Sequence, residues 1–98
     1  MAVAIIQDWL EEESDRSTTN YDAVSAKLAQ QQEPIDGLIV HTAGYTGTGF
    51  RIFEVWESQA HFDRFLGERL MPLLMAQEGT NSTPPTLTAY ELHNVMMP

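Results

Sequence analysis

The stretch RIFEVWESQAHFDRF, residues 51–65, changes its hydrophobic rhythm halfway along. Up to Trp56 the apolar residues crowd into a short β-rich run. From Phe62 onward they recur three and four residues apart, the spacing of one helix face. Ser58 stands between the two halves, and a serine there suits the N-cap of the second. A strand therefore ends in Trp-Glu-Ser and passes at once into a helix whose stripe is Phe62, Phe65, Leu66, Leu70, Leu73 and Leu74. Pro72 lacks an amide hydrogen and its ring clashes with the carbonyl of Glu68, which predicts a kink or restart near Leu70–Met71.

Upstream of this junction, LIVHTAGY (38–45) reads as a strand opened by Gly37. Thr46-Gly47-Thr48-Gly49 has the composition of a hairpin turn, with FRIFEVWE (50–57) returning. Residues 2–10, AVAIIQDWL, form another β-rich run without a helical stripe. The polar segment EEESDRSTT (11–19) suits a solvated loop. Thr19-Asn20-Tyr21-Asp22 then matches a capping box, with Tyr21, Val24 and Leu28 on one stripe and the helix ending before Pro34. After the loop GTNSTPP (79–85), TLTAYELHNVM reads as a last strand. The predicted order is β-α-β-β-α-β over a single domain, residues 1–98. That is the α+β, ferredoxin-like plan, a four-stranded antiparallel sheet with both helices on one face.

The turn sets a register. Tyr45 is predicted opposite Phe50, Ala43 opposite Ile52, His41 opposite Glu54 and Ile39 opposite Trp56. One face then holds Ile39, His41, Ala43, Tyr45, Phe50, Ile52, Glu54 and Trp56. The other holds Leu38, Val40, Thr42, Phe53 and Val55, with Arg51 near the turn. The second set is the more purely apolar, and is expected under the helices. The first is too apolar for water, and a sheet greasy on both faces needs cover on both. A second copy of the chain is the simplest cover, so a homodimer is expected.

Composition limits the partners. The 98 residues carry a net charge of −9, with five cationic side chains (Arg16, Lys27, Arg51, Arg64, Arg69) against 14 acidic ones. Nucleic acid and anionic membranes draw on clustered Lys and Arg, so neither is expected. The absence of cysteine excludes disulfides, thiolate metal sites and cysteine nucleophiles. The opening MAVAIIQDWLEEE has no basic n-region and no bilayer-length apolar run, so a cytoplasmic protein is expected.

The strand-to-helix junction FEVWES with AHFDRFLGERLMPLL, preceded by LIVHTAG and followed by AYELHNV, resembles the dimeric α/β-barrel superfamily. More narrowly, it is similar to small actinobacterial-type members related to antibiotic-biosynthesis-monooxygenase-like domains. The resemblance runs over almost the whole chain. It implies two sheets paired face to face around a lumen that holds a small, largely apolar or aromatic ligand. Activities in the superfamily include cofactor-independent oxygenation of aromatic polyketides, haem degradation and isomerisation, alongside binding or sensing without chemistry.

His41 and Glu54 are the candidate catalytic pair, since a carboxylate-oriented imidazole serves as a general base or holds a ligand hydroxyl. The commoner role of such a pair is structural, a buried hydrogen-bonded pair that only fixes strand register or the dimer. Trp56, Tyr45, Phe50, Ile52 and Tyr90 are the candidate ligand-binding residues. For Trp56 the cavity-shaping role comes from the resemblance, and an aromatic at a strand end is also ordinary core. Haem-degrading relatives carry a helical histidine and a first-strand asparagine, whereas this first strand has Gln7 and Asp8 and His61 lies at a helix start. His93 stands beside Asn94 on the last strand. The histidine spacing matches no metal motif, and no cofactor or metal is expected. Glu11-Glu12-Glu13 reads as a solvated run, with weak calcium binding as its other use. The expected function is a cofactor-independent monooxygenase-like or isomerase-like enzyme. The alternative is a non-catalytic ligand-binding or stress-related dimerisation module.

Overall fold

The computed structural model describes residues 1–10, 19–76 and 85–97, with the side chains of Leu10, Thr19, Asn20 and residues 74–76 set aside. The expected loops at 11–19 and 79–85, apart from Thr19 and Pro85, the Glu11-Glu12-Glu13 run, and the side chains of Thr19 and Leu74 fall outside what is described.

Four strands, β1 (Val3–Leu10), β2 (Leu38–Tyr45), β3 (Gly49–Trp56) and β4 (Thr86–Glu91), form one antiparallel sheet in the order β2-β3-β1-β4. Helix α1 (Thr19–Gln31) links β1 to β2. The second crossover is α2 (Gln59–Phe65), a π-helical segment (Leu66–Leu70) and α3 (Met71–Ala76). This is the predicted α+β, ferredoxin-like order.

Local chemistry explains the boundaries. Ser58 caps α2 as expected: its Oγ accepts from the His61 amide at 3.2 Å. The interruption expected from Pro72 is the π-helical segment, which ends at Leu70 just before α3 starts. Helix α1 starts at Thr19 itself, one residue earlier than a cap there would allow. It stops at Gln32, whose φ of 55° is the left-handed conformation that ends many helices. Arg69, on the π-helical segment, ties this end down. Its guanidinium donates to Gln31 Oε1 (2.8 Å) and to the carbonyls of Glu33 (3.3 Å) and Pro34 (3.0 Å). The turn between β2 and β3 closes with the Thr46 amide on the Gly49 carbonyl at 2.6 Å.

The hairpin register agrees with expectation at Tyr45–Phe50, Ala43–Ile52 and His41–Glu54. It departs at the fourth pair. A bulge between Leu38 and Val40 sets Leu38, not Ile39, opposite Trp56. The extra residue turns Leu38 toward the core, where it packs against the cluster of Val3, Ile5, Trp56 and Phe62.

The face assignment is reversed. Trp56 is buried against Phe62 and Phe65 of α2, and His41 and Phe50 touch Tyr21 of α1. The face carrying His41, Phe50, Ile52, Glu54 and Trp56 is therefore the one the helices cover. Glu54, the buried polar residue there, has partners inside the fold, so its burial costs little, and His41 stays partly exposed. The other face is also more polar than β2 and β3 alone suggested. β1 and β4 add Asp8, Thr86 and Thr88 to it, alongside Thr42 and Arg51. Arg51 Nε lies 2.6 Å from Asp8 Oδ1, and that bond raises the guanidinium further above its usual value. The rest of the free face stays apolar. Val40, Val55, Ala4 and Tyr90 form one row and Thr42, Phe53, Ile6 and Thr88 the next.

The last strand is shorter than expected. β4 ends at Glu91 because β1 begins at Val3, and the Leu92 amide on the Ala2 carbonyl (2.9 Å) is the final rung. His93 and Asn94 lie beyond it, exposed.

Candidate functional site

Four side chains from three elements join in one hydrogen-bonded line under α1. At the inner end is Glu54, a carboxylate buried to within 5% on the central strand β3. Its Oε1 accepts from the Trp56 indole N–H at 3.2 Å. Its Oε2 lies 2.5 Å from His41 Nδ1 across the β2–β3 pair. The other ring nitrogen, Nε2, lies 2.5 Å from the Tyr21 hydroxyl on α1. With the imidazole neutral and Glu54 ionised, Nδ1–H must be the donor to the carboxylate. Nε2 is then left to accept from the Tyr21 O–H. Exposure falls along the line: the His41 side chain is 36% exposed and that of Glu54 7%.

The sequence explains each position. His41 and Glu54 face each other because the four-residue turn fixes the register of the hairpin. Trp56 follows Glu54 by two and so shares its face. Tyr21 occupies the first turn of α1, on the stripe that also buries Val24. Its ring lies nearly parallel to the His41 imidazole (11°, centroids 6.0 Å apart) and tilts against Phe50 at 5.7 Å. Phe50 in turn meets Tyr45 at 5.1 Å and Trp9 at 6.1 Å. An aromatic platform thus adjoins the outer end of the line.

Of the residues singled out in the sequence, His41, Glu54, Phe50, Tyr45 and Ile52 share one face with Trp56. Trp56 itself is fully buried between strand and helix, where it holds Glu54 and fills the core. Tyr90 is on the opposite face, 48% exposed, and joins none of them. Tyr21 and Trp9 were missed. A tyrosine on an apolar helical stripe needs a partner for its hydroxyl, and that was the signal for Tyr21. The partner lies twenty residues on, in another element.

His61 stands apart from this site. Its ring Nδ1 is 2.6 Å from Ser58 Oγ, and Nε2 lies 3.7–3.8 Å from Glu57 and Asp36. These three offer ligand atoms within 4.8 Å of one another, on exposed carboxylates. Asp36 also pairs with Arg64 at 3.6 Å. A crevice of about 110 Å³ adjoins them, lined by Glu33, His61, Phe65 and Arg69 among others. On the free face a hollow of about 250 Å³, open to solvent, is lined by Thr42, Gly44, Tyr45, Arg51 and Phe53. Among the described residues no helix is long and apolar enough to cross a membrane.

No protein-family model matches the chain. No curated protein matches it either. Solved structures share its fold. Rv0793 from Mycobacterium tuberculosis superposes with a TM-score of 0.69 at 15% identity, covering 99% of this chain and all of that one. A protein from Deinococcus radiodurans, provisionally named an antibiotic biosynthesis monooxygenase, gives 0.65 at 20% identity over 99% of this chain and 97% of its own. A point mutant of SnoaB, a cofactor-independent oxygenase from Streptomyces nogalater, gives 0.62 at 15% identity over 97% and 96%. The chain thus has the fold of antibiotic-biosynthesis-monooxygenase-like proteins.

Proposed function

We propose that the protein is a homodimer that binds a small apolar or aromatic molecule and acts on it as a cofactor-independent monooxygenase-like or isomerase-like enzyme. The observation that carries this reading is the line Tyr21–His41–Glu54–Trp56. A buried carboxylate there orients a partly exposed imidazole whose outer nitrogen meets the Tyr21 hydroxyl beside an aromatic platform. His41 moves the proton, Glu54 fixes its tautomer and stabilises the imidazolium, and Phe50, Tyr45 and Ile52 line the ligand's side of the sheet. The fold likeness to an oxygenase that needs no cofactor supports the same chemistry.

Two surfaces divide the work. The free sheet face, with Val40, Phe53, Ile6 and Tyr90, is the surface that pairs with a second copy to make the barrel. The ligand, expected between the paired sheets, belongs on the helix side, because that is where His41 and Glu54 are. The protein functions in the cytoplasm, in keeping with its acidic, cysteine-free composition.

Oxygen uptake and product formation with a panel of hydroquinones test the reading. Wild type is expected to turn over at least one, and His41→Ala to abolish turnover while leaving the dimer intact. A second reading is favoured by one observation: both Glu54 oxygens are satisfied within the protein. On that reading the line is a structural lock in a non-catalytic ligand-binding or dimerisation module. His41→Ala would then lower stability with no turnover to lose.

A further inference from the structure

Neither nitrogen of the His41 ring is open to a ligand. Nδ1 is engaged by Glu54 and Nε2 by the Tyr21 hydroxyl, each at 2.5 Å. A proton bound for the imidazole must therefore either displace Tyr21 or pass through it. The Tyr21 oxygen donates its one hydrogen to Nε2 and keeps acceptor capacity on its outer side. Its ring is held from two directions, by the His41 imidazole and by Phe50, so the hydroxyl is fixed rather than mobile. The three side chains repeat an arrangement of known physical logic: a hydroxyl, a histidine that takes its proton, and a buried carboxylate that orients the histidine.

We infer that Tyr21 is the residue that takes the proton from substrate, with His41 and Glu54 behind it as its base. This rests on the proton-handling reading of the site and extends it by one residue and by the class of substrate. In the step, a weakly acidic O–H or activated C–H of the ligand gives its proton to the Tyr21 oxygen. At the same time the tyrosine's own proton passes to His41 Nε2. The products are a substrate anion and an imidazolium paired with the Glu54 carboxylate. No oxidant is consumed at this stage. The substrate is an aromatic or conjugated acid that lies against the Phe50 and Tyr45 rings.

Nitrobenzisoxazole, a flat aromatic carbon acid, is the probe. Removal of its ring C–H proton sends that electron pair into a nitrile, and the N–O bond breaks to give a phenolate that is read by absorbance. Wild type is expected to accelerate this elimination. Tyr21→Phe is expected to lower kcat by about 10²-fold, the scale of a lost acid–base group, with KM changed less than threefold. The probe's C–H proton does not exchange with solvent, so a solvent deuterium isotope effect on kcat is expected from the Tyr21 O–H in flight to His41 Nε2. A merely structural tyrosine would give none. If Tyr21→Phe keeps or raises the rate while His41→Ala abolishes it, the imidazole meets substrate directly. The role of Tyr21 is then overturned and the His41 reading stands. If wild type gives no acceleration, or His41→Ala leaves it unchanged, the site is not a base and both fall.

Discussion

His41 Nδ1 and Glu54 Oε2 lie 2.5 Å apart across the β2–β3 pair, which joins a partly exposed imidazole to a carboxylate that is 7% exposed. Removing the ring strips a buried oxygen of its donor. His41→Ala is therefore expected to lower stability by roughly 1–3 kcal/mol. In a chain of this size each kcal/mol corresponds to about 4–8 °C in melting temperature. Glu54→Gln retains the shape and the Trp56 bond, so it is expected to cost about 1 kcal/mol or less in thermal unfolding. Its amide then donates to Nδ1, which reverses the ring's tautomer, and the proposed turnover is expected to be lost with it.

Trp56 has two jobs, and one substitution separates them. Trp56→Phe retains most of the ring packing against Phe62 and Phe65 but removes the N–H that Glu54 Oε1 accepts. A loss of about 1–3 kcal/mol is expected from the unpaired oxygen. Trp56→Ala adds a cavity in the core and should cost about 3–5 kcal/mol, of order the stability of a small domain. Denaturant unfolding of the two variants checks the difference. A Trp56→Phe variant as stable as wild type would mean that the indole N–H contributes nothing, and equal losses that the ring packing adds nothing beyond it.

Gly37 is fixed by sterics. Its φ is +85°, and a Cβ there would collide with the His61 ring. Gly37→Ala is expected to destabilise by roughly 2 kcal/mol or more, from the left-handed backbone and from the displaced imidazole. Chemical denaturation measures it. A neutral outcome would show that the start of α2 moves freely against the turn before β2.

The proposed dimer surface has its own test. Val40 and Tyr90 stand 41% and 48% exposed at opposite edges of the free face, so changing them leaves the core alone. Val40→Lys and Tyr90→Lys are each expected to weaken dimerisation by about tenfold or more, about 1.4 kcal/mol, with secondary structure unchanged. Sedimentation of wild type should show dimer, and a wild type that remains monomeric at high concentration contradicts the proposal.

The hairpin, and with it the His41–Glu54 pair, was legible because a glycine-rich turn counts residues outward in pairs. What that count could not show was the bulge at Leu38–Val40, since a bulge leaves no mark in an alternating pattern. Which face the helices cover was not legible from β2 and β3 alone. Both faces carry large apolar residues, and the deciding polar groups of the free face (Asp8, Thr86, Thr88) come from β1 and β4. A helix over the His41–Glu54 face needs a partner for the outer imidazole nitrogen, and that partner comes from outside the hairpin. Tyr21 stayed hidden for the same reason: helical periodicity assigns it to a stripe, while its hydroxyl is satisfied by a residue from a different element.

The most direct test of the central claim is the nitrogen spectrum of the His41 ring, recorded by long-range ¹⁵N–¹H correlation at a pH where the ring is neutral. The expected result is a proton on Nδ1 and an accepting Nε2, with Tyr21→Phe shifting the Nε2 resonance far more than the Nδ1 one. A ring protonated on Nε2, or one that averages both tautomers and ignores Tyr21→Phe, would contradict it.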